Sequence, residues 1–172
     1  MSAWTTRQIT TLGLFSAVGI SLFVVESFIP MPLPFLKIGL ANVSSLLALM
    51  LFGMREMMLV MSVRVIVGSM LTGSLFGPGF LLAMAGGVGS ALAMGGVKKA
   101  IPNVFGVVGI SLIGSVTHVT VQFLFVLFFY VRTPAVFFLL PLLLTSALVG
   151  GVIVGWIAAR LLPILKSMKI PG

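Results

Sequence analysis

The sequence predicts an all-α integral membrane protein, a bundle of six transmembrane helices that forms a single domain over residues 1–172. Hydrophobic residues make up 60% of the chain and charged residues only 7%, whereas ordinary soluble domains have about 25% charged residues. Apolar stretches follow one another along almost the whole length, with basic residues at their ends. Too little polar chain is left to cover a soluble core.

Most of these apolar stretches are long enough to cross a bilayer as helices. They cover residues 9–28, 57–75, 80–97, 104–130 and 136–162, and a shorter stretch covers residues 38–52. The first stretch is not expected to be a cleaved signal peptide, because it is too long for the apolar region of one and no polar domain follows it.

The basic residues between the stretches divide unequally between the two sides of the membrane. Only Lys37 and Arg132 fall on one side. The other side holds Arg7, Arg55, Lys98, Lys99, Arg160, Lys166 and Lys169. Because cytoplasmic loops carry the excess of Lys and Arg, we predict a cell-membrane protein with both termini in the cytoplasm. The formal charge of +8 is then a topology signal, and no nucleic-acid partner is expected.

The stretch 38–52 would form a helix only about 22 Å long, short of the roughly 30 Å hydrocarbon core. The preceding residues 29–36 include Pro30, Pro32 and Pro34, which favour an extended segment over a helix. Irregular backbone at membrane depth lies against protein or a wet cavity. We therefore expect this segment to dip inward from the outer face as the wall or lid of a cavity. The alternative is a plain apolar loop at the interface.

Small residues recur at every fourth position in three stretches, a spacing that lets membrane helices approach closely. They are Gly79, Ala83, Gly87, Ala91 and Gly95 in the fourth stretch, Gly151, Gly155 and Ala159 in the last, and Gly13, Ala17 and Ser21 in the first. We expect the stripes of the fourth and last stretches to pack inside the bundle. The stripe of the first stretch begins at the cytoplasmic end, where it either packs internally or docks a partner membrane protein.

Arg64 lies near the middle of the third stretch, where a charged residue costs roughly 2.5–3.5 kcal/mol to insert and is by default a functional candidate. It has to face protein or water. Gly68 and Thr72 share its side of the helix and are expected to leave room beside it. The alternative is a structural ion pair with Glu26, the only acidic residue within a membrane stretch.

The fifth stretch carries a polar stripe, formed by Ser111, Ser115, His118 and Gln122. Spacings of four, three and four residues place these side chains within an arc of about 60° on a helix. A lone histidine in an apolar setting commonly forms an interhelical hydrogen bond, and the neighbouring amide and hydroxyls make a ligand contact an equal alternative.

These polar groups are predicted to line one pocket that opens to the outside and ends near the middle of the membrane. Its substrate-binding candidates are Glu26, Lys37, Asn42, Arg64, His118 and Gln122. Cationic groups and a helix start favour an anionic ligand group, and arginine binds carboxylate or phosphate bidentately. We therefore expect a small, anionic ligand.

Composition excludes several kinds of chemistry. Glu26 and Glu56 are the only acidic residues, His118 is the only histidine, and cysteine is absent. Carboxylate-held magnesium, zinc sites and iron–sulfur clusters lack ligands, so no metal or cofactor is expected. A Ser/His/Asp triad lacks its acid, and residues 73–79 lack the Lys and Ser/Thr of a Walker loop. We expect neither catalysis nor ATP hydrolysis.

The segments Glu26-Ser27-Phe28-Ile29-Pro30 and Lys37-Ile38-Gly39-Leu40-Ala41-Asn42 resemble the signature of the Gx transporter family, commonly labelled heptaprenyl diphosphate synthase component I. Further matches, spread over the rest of the chain, are Val63-Arg64-Val65, Gly68-Ser69, Gly73-Ser74, Gly86-Gly87, Ser90, Leu140-Pro141, Gly150-Gly151 and Gly155. The family pattern has His-Asn followed by Gln, whereas here Val119 follows His118 and Gln122 is kept. This departure puts a polar contact at position 119 in doubt.

This family is similar in turn to the substrate-binding S components of energy-coupling-factor (ECF) transporters, six-helix proteins that capture vitamins or other trace nutrients. The resemblance implies an outward pocket for substrate and a separate transmembrane coupling protein with two ATPase subunits. It also implies that the stripe of Gly13, Ala17 and Ser21 contacts the coupling protein.

Three functions remain open at the level of sequence. The first is a membrane substrate-binding component for uptake of a small, anionic nutrient or precursor. The second is a noncatalytic membrane subunit of isoprenoid or quinone synthesis that docks a soluble synthase and presents membrane lipid. The third is an autonomous carrier or channel, which the scarcity of buried acids disfavours because proton or sodium coupling commonly uses them.

Overall fold

The structure, a computed structural model, describes residues 4–29, 39–102, 104–131 and 133–168, with only the backbone of Pro134. Within these ranges the chain forms six α-helices and one short 3₁₀ helix. They are α1 (Thr6–Phe28), α2 (Asn42–Leu51), α3 (Met54–Leu71), α4 (Pro78–Ala100), α5 (Val107–Phe129), the 3₁₀ helix Pro134–Leu139, and α6 (Leu140–Ser167). The predicted all-α fold with six helices is confirmed.

Four helical segments within the described ranges are long and apolar enough to cross a bilayer. They are α1, α4, α5 and the continuous segment Ala135–Ser167 that contains α6. Helix α3 is 18 residues long but carries Arg55, Glu56 and Arg64, and α2 has only 10 residues. The protein is therefore a multi-pass membrane protein. Its two less typical helices, α2 and α3, pack against the membrane-length helices.

The short helix α2 lies inside the bundle. It packs against α1, α3 and α6, and every residue from Val43 to Leu49 is buried. Burial on all sides suits a helix that is apolar around most of its circumference. At about 1.5 Å per residue, α2 rises about 15 Å, half the depth of the hydrocarbon core. Residues 30–38, which include the predicted proline wall or lid and the predicted start of this helix, lie outside the described residues.

Local signals set the helix ends where hydropathy alone misplaces them. Helix α1 begins before residue 9 because a capping box holds it: the Thr5 hydroxyl accepts from the Gln8 N–H at 3.3 Å, and the Gln8 side chain accepts from the Thr5 N–H at 3.0 Å. Gly53, with φ of 129°, separates α2 from α3. Helix α3 ends before residue 75 because Gly73 turns the chain with φ of 66°.

Polar contacts gather several helix ends at one end of the bundle. Arg7 donates to the carbonyl of Met168 at 3.0 Å, which joins the start of α1 to the end of α6. Lys98 Nζ donates to the carbonyl of Leu49 at 2.6 Å, which joins the end of α4 to the end of α2. The basic residues predicted to share one side of the membrane thus lie at one end of the bundle, here called the basic end, apart from Lys169, which lies outside the described residues.

Small residues bring the helices of the bundle into close contact. The stripe on α4 faces α3, where Met61 packs over Gly87 and Ala91 is fully buried. The stripe on α6 faces α5, and a Cβ added to Gly155 would lie 2.7 Å from Val108 Cα. The stripe on α6 and the residues Gly87, Ala91 and Gly95 of the stripe on α4 pack inside the bundle as predicted, because glycine lets a neighbouring side chain or backbone fill the groove. Gly79 does not, since it is exposed and an added Cβ there would meet nothing within 4 Å.

The small-residue stripe on α1 behaves differently. Gly13, Ala17 and Ser21 are all exposed, and a Cβ added to Gly13 would meet nothing within 4 Å. The Ser21 hydroxyl donates to the carbonyl of Ala17 in its own helix at 3.0 Å. The described part of the chain therefore leaves this stripe uncovered.

Replacing Gly155 with Ala is expected to lower the melting temperature of the detergent-solubilised protein. The new methyl group would press on the backbone of α5, and overpacking of this kind costs about 1–3 kcal/mol. The matched control is Gly96→Ala on α4, where an added Cβ meets nothing within 4 Å. The control should be neutral or stabilising because Ala favours helix over Gly. Equal melting temperatures for the two variants would contradict the described packing of α5 on α6.

Replacing Lys98 with Met is expected to destabilise the protein by about 1–3 kcal/mol, the cost of a buried polar group without its partner. The N–H groups of Phe52 and Gly53 both donate to the carbonyl of Ala48. The carbonyl of Leu49 therefore accepts its hydrogen bond from Lys98. Thermal unfolding of Lys98→Met is compared with that of Lys99→Met.

Lys99 is exposed in the same turn, so its replacement removes the same charge from the same helix end without touching α2. We expect its effect to stay within about 0.5 kcal/mol. If the two variants unfold at the same temperature, the contact of Lys98 with the Leu49 carbonyl contributes no stability beyond that of its charge.

Candidate functional site

A cavity of about 550 Å³ lies at the end of the bundle opposite the basic end. The ends of α1 and α3, the starts of α2 and α4, and the middle of α5 surround it. Its polar lining consists of Glu26, Ser27, Asn42, Arg64, Thr72, Ser74, His118 and Gln122. The volume lies within the range of small-molecule sites, roughly 300–1,000 Å³.

Most of the residues predicted from the sequence to share a pocket line this cavity. The structure brings together Glu26, Asn42, Arg64, His118 and Gln122, which come from four different helices. Lys37, the remaining candidate, lies outside the described residues. Residues that are far apart in the chain thus meet at one place, as the pattern of polar residues within apolar helices predicted.

Arg64 lies at the inner part of the cavity, near the middle of α3, and is only 3% exposed. One guanidinium nitrogen, Nη1, donates to Asn42 Oδ1 at 2.8 Å, whereas Nε is buried and has no hydrogen-bond partner within the described ranges. The aliphatic part of the side chain crosses Gly19 of α1, where an added Cβ would lie 3.2 Å from Arg64 Cδ. Close approach of α1 therefore positions the charged group against the start of α2.

Glu26, in the last turn of α1, is 6% exposed. Its carboxylate accepts from the backbone N–H of Leu40 at 2.6 Å, in the turn that leads into α2. A carboxylate is favoured there because the first N–H groups of a helix carry partial positive charge. The hydrogen bonds of Glu26 and Arg64 thus go to the start of α2 rather than to each other.

His118 and Gln122 project from α5 toward α4. A Cβ added to Gly86 would lie 3.0 Å from His118 Nε2 and 2.9 Å from Gln122 Cγ, so both side chains occupy the space that this glycine leaves free. Gln122 Nε2 donates to the carbonyl of Leu82 at 3.2 Å. His118 Nδ1 is buried, and no residue in the described part of the chain forms a hydrogen bond with it. The pair therefore makes interhelical contacts and also lines the cavity.

The two serines of the predicted polar stripe lie elsewhere. Ser115 Oγ lies 3.0 Å from the position of a Cβ added to Gly151, and Ser111 packs beside Gly155. Neither serine is among the lining residues of the cavity. The stripe is divided because α6 covers this part of α5, whereas α4 covers the part that carries the histidine.

Sequence analysis missed the aromatic wall of the cavity, formed by Phe23 and Phe28. Phe23 occupies the space beside Gly68, because a Cβ added to that glycine would lie 2.5 Å from Phe23 Cδ1. The room expected there beside Arg64 is therefore filled. A signal was available, since Phe23 precedes Glu26 by three residues and shares its face of the helix.

The whole fold is similar to that of a solved structure described as "Structure and mechanism of the S component of a bacterial ECF transporter". The TM-score is 0.75 at 16% sequence identity, over 95% of this chain and 97% of that chain, and this likeness concerns the fold. No curated protein matches the sequence. A family model described as heptaprenyl diphosphate synthase component I matches residues 15–161. Because the match covers most of the chain and agrees with the signature around Glu26 and Asn42, the protein belongs to the heptaprenyl diphosphate synthase component I family.

Proposed function

We propose that this protein is a membrane substrate-binding component for the uptake of a small, anionic nutrient or precursor. The observation that carries the proposal is the cavity with Arg64 at its inner part. A buried guanidinium within a membrane helix is costly and commonly marks a substrate site. Its Nε–H has no partner among the described residues and can only donate, so an acidic ligand group satisfies it. The fold shared with an ECF S component supports the same function.

In this proposal the cavity opens to the cell exterior. It lies opposite the basic end, and positively charged ends of membrane helices face the cytoplasm. Both termini would then be cytoplasmic, with the protein in the cell membrane. Substrate would enter from outside and reach Arg64 about halfway through the bilayer.

We infer that the protein itself is not an enzyme. The usual prenyl diphosphate synthases hold magnesium with Asp-rich motifs, and this chain has no Asp. The cavity contains one histidine and one carboxylate, and Glu26 already accepts a backbone N–H. This set of groups is suited to binding and lacks the paired acids or metal ligands that hydrolysis and group transfer use.

Energy for transport would come from a partner, because the chain has no Walker loop. The exposed stripe on α1 is the proposed docking surface for a transmembrane coupling protein with two ATPase subunits. Gly13 and Ala17 from this stripe line a shallow apolar groove with Leu59 and Val63 of α3. A helix of a partner can approach closely along such a small-residue stripe.

The family description favours a second candidate function, a noncatalytic membrane subunit of isoprenoid or quinone synthesis. In that role the protein would dock a soluble heptaprenyl diphosphate synthase and present membrane lipid to it. The two candidates differ in ligand, since one requires a small water-soluble molecule and the other a prenyl lipid. They also differ in the partner that should copurify.

Mass spectrometry of ligands released from gently purified protein distinguishes the two candidate functions. We expect a small water-soluble acid from the wild type and its loss from Arg64→Gln, because a charged hydrogen bond contributes about 1.5–3 kcal/mol, roughly tenfold to a hundredfold in affinity. Arg55→Gln is the matched control, with an exposed arginine of the same helix at the basic end. Recovery of prenyl lipids alone would contradict uptake and support the synthase subunit.

Copurification from the native host tests the docking surface. Gly13→Leu is expected to abolish recovery of the coupling protein and its ATPases, because the added side chain would occupy the groove where the partner helix lies. The bundle itself tolerates the change, since a Cβ at Gly13 meets nothing within 4 Å. Gly96→Leu is the control, on an equally open position of α4. Unchanged recovery with Gly13→Leu would exclude the stripe as the docking site.

A further inference from the structure

Unpartnered polar atoms indicate what the cavity lacks. Among the described residues, the buried side-chain atoms without a hydrogen-bond partner include three serine hydroxyls, of Ser45, Ser69 and Ser111, and two nitrogens, Arg64 Nε and His118 Nδ1. Only the two nitrogens belong to residues that line the cavity. A buried polar group without a partner is costly and calls for an explanation, and a bound molecule supplies one for both nitrogens at once.

The Arg64 nitrogen requires an acceptor. A guanidinium has only donors, and Nη1 is already used by Asn42. The Nε–H lies on the side edge of the group, where arginine forms paired hydrogen bonds with carboxylate or phosphate. The bound molecule must therefore place an acceptor, best an anionic one, at this edge.

The unpaired His118 nitrogen, Nδ1, requires a hydrogen-bond donor. Nε2 is the ring nitrogen nearest the backbone of α4, 3.0 Å from the position of a Cβ added to Gly86. Within an α-helix the free lone pairs of the backbone belong to carbonyl oxygens, so Nε2 carries the proton and donates. The other nitrogen of a neutral imidazole, Nδ1, then holds a lone pair and accepts.

We propose that the substrate carries two neighbouring groups, an acid that binds the Arg64 Nε edge and an N–H or O–H donor that binds His118 Nδ1. This inference rests on the proposed function and narrows its ligand to an acid with an adjacent donor, such as an N-heterocyclic or hydroxy acid. A molecule with acceptors alone would leave the histidine nitrogen unpaired.

The charges of the cavity support a ligand with both kinds of group. Its described lining carries one cation, Arg64, and one carboxylate, Glu26, so a bare anion would be repelled by the carboxylate as well as attracted by the guanidinium. A second acidic group at the His118 end of the ligand would add to this repulsion, whereas a donor there adds none. The aromatic wall of Phe23 and Phe28 suits a flat apolar body between the two polar groups.

Two small probes of the same shape test the proposal. Pyrrole-2-carboxylate has a ring N–H beside its carboxylate, and furan-2-carboxylate has a ring oxygen, an acceptor, at the same position. Binding of each to the purified protein is measured by ligand-observed NMR titration. We expect the pyrrole acid to bind roughly two- to tenfold more tightly, as one net hydrogen bond predicts.

Variants of His118 and Arg64 test which side-chain atoms cause the preference for the pyrrole acid. His118→Leu should bring the ratio of the two affinities close to one, whereas His118→Asn should preserve it, because its Oδ1 is attached to Cγ as Nδ1 is. Arg64→Gln should weaken both acids. Ser111→Ala is the control, because its hydroxyl is also buried and unpartnered on α5 but lies outside the cavity. Melting temperatures show which variants remain folded.

Each outcome decides the question. Tighter binding of the pyrrole acid by the wild type that is lost in a folded His118→Leu supports the proposal, as does a preference kept in His118→Asn where His118→Leu does not fold. A preference that a folded His118→Leu keeps overturns it. Equal or tighter binding of the furan acid by the wild type overturns it, as does binding of neither acid, and both results stand even if a variant fails to fold. The proposed uptake function fails separately, if the wild type releases only prenyl lipids.

Discussion

A guanidinium halfway along a membrane helix has to be surrounded by protein or water, and the accommodation of Arg64 shapes the half of this bundle opposite the basic end. Its insertion costs roughly 2.5–3.5 kcal/mol, whereas one hydrogen bond to a charged group returns about 1.5–3 kcal/mol. Asn42 provides one such bond, and Gly19 lets the side chain lie close against α1. At the cavity an anionic group or water can accept a hydrogen bond from the remaining N–H, which offsets the rest of the insertion cost.

The half of the bundle at the basic end is packed solidly. All six helices contribute to one apolar cluster around α2, and glycines let α3 to α6 approach one another. Because α2 rises through only about half of the hydrocarbon core, the described residues place no central helix between the surrounding helices in the half opposite the basic end. The cavity lies in this space. A short central helix thus provides a stable base and a binding volume in the same fold.

The polar groups of the protein divide into two sets with different tasks. At the basic end, Arg7 and Lys98 bond to backbone carbonyls of neighbouring helices and hold helix ends together. At the cavity, Glu26 holds the start of α2, while Arg64 and His118 each keep one nitrogen unpaired. This division suits a chain with so few polar residues, because the groups that join helix ends at the basic end are not those available to a ligand at the cavity.

Composition, hydropathy and charge pattern by themselves determined the membrane class, the six helices and the shared end of the basic residues, because each of these depends on local sequence and on the cost of burying polar groups. They also singled out Arg64 and His118, since such residues within apolar helices need internal partners. Only the tertiary structure decided the partners: Arg64 bonds to Asn42 rather than Glu26, and Phe23 fills the space beside Gly68. Contacts of this kind depend on how far helices rotate and how closely they approach, which no local pattern encodes.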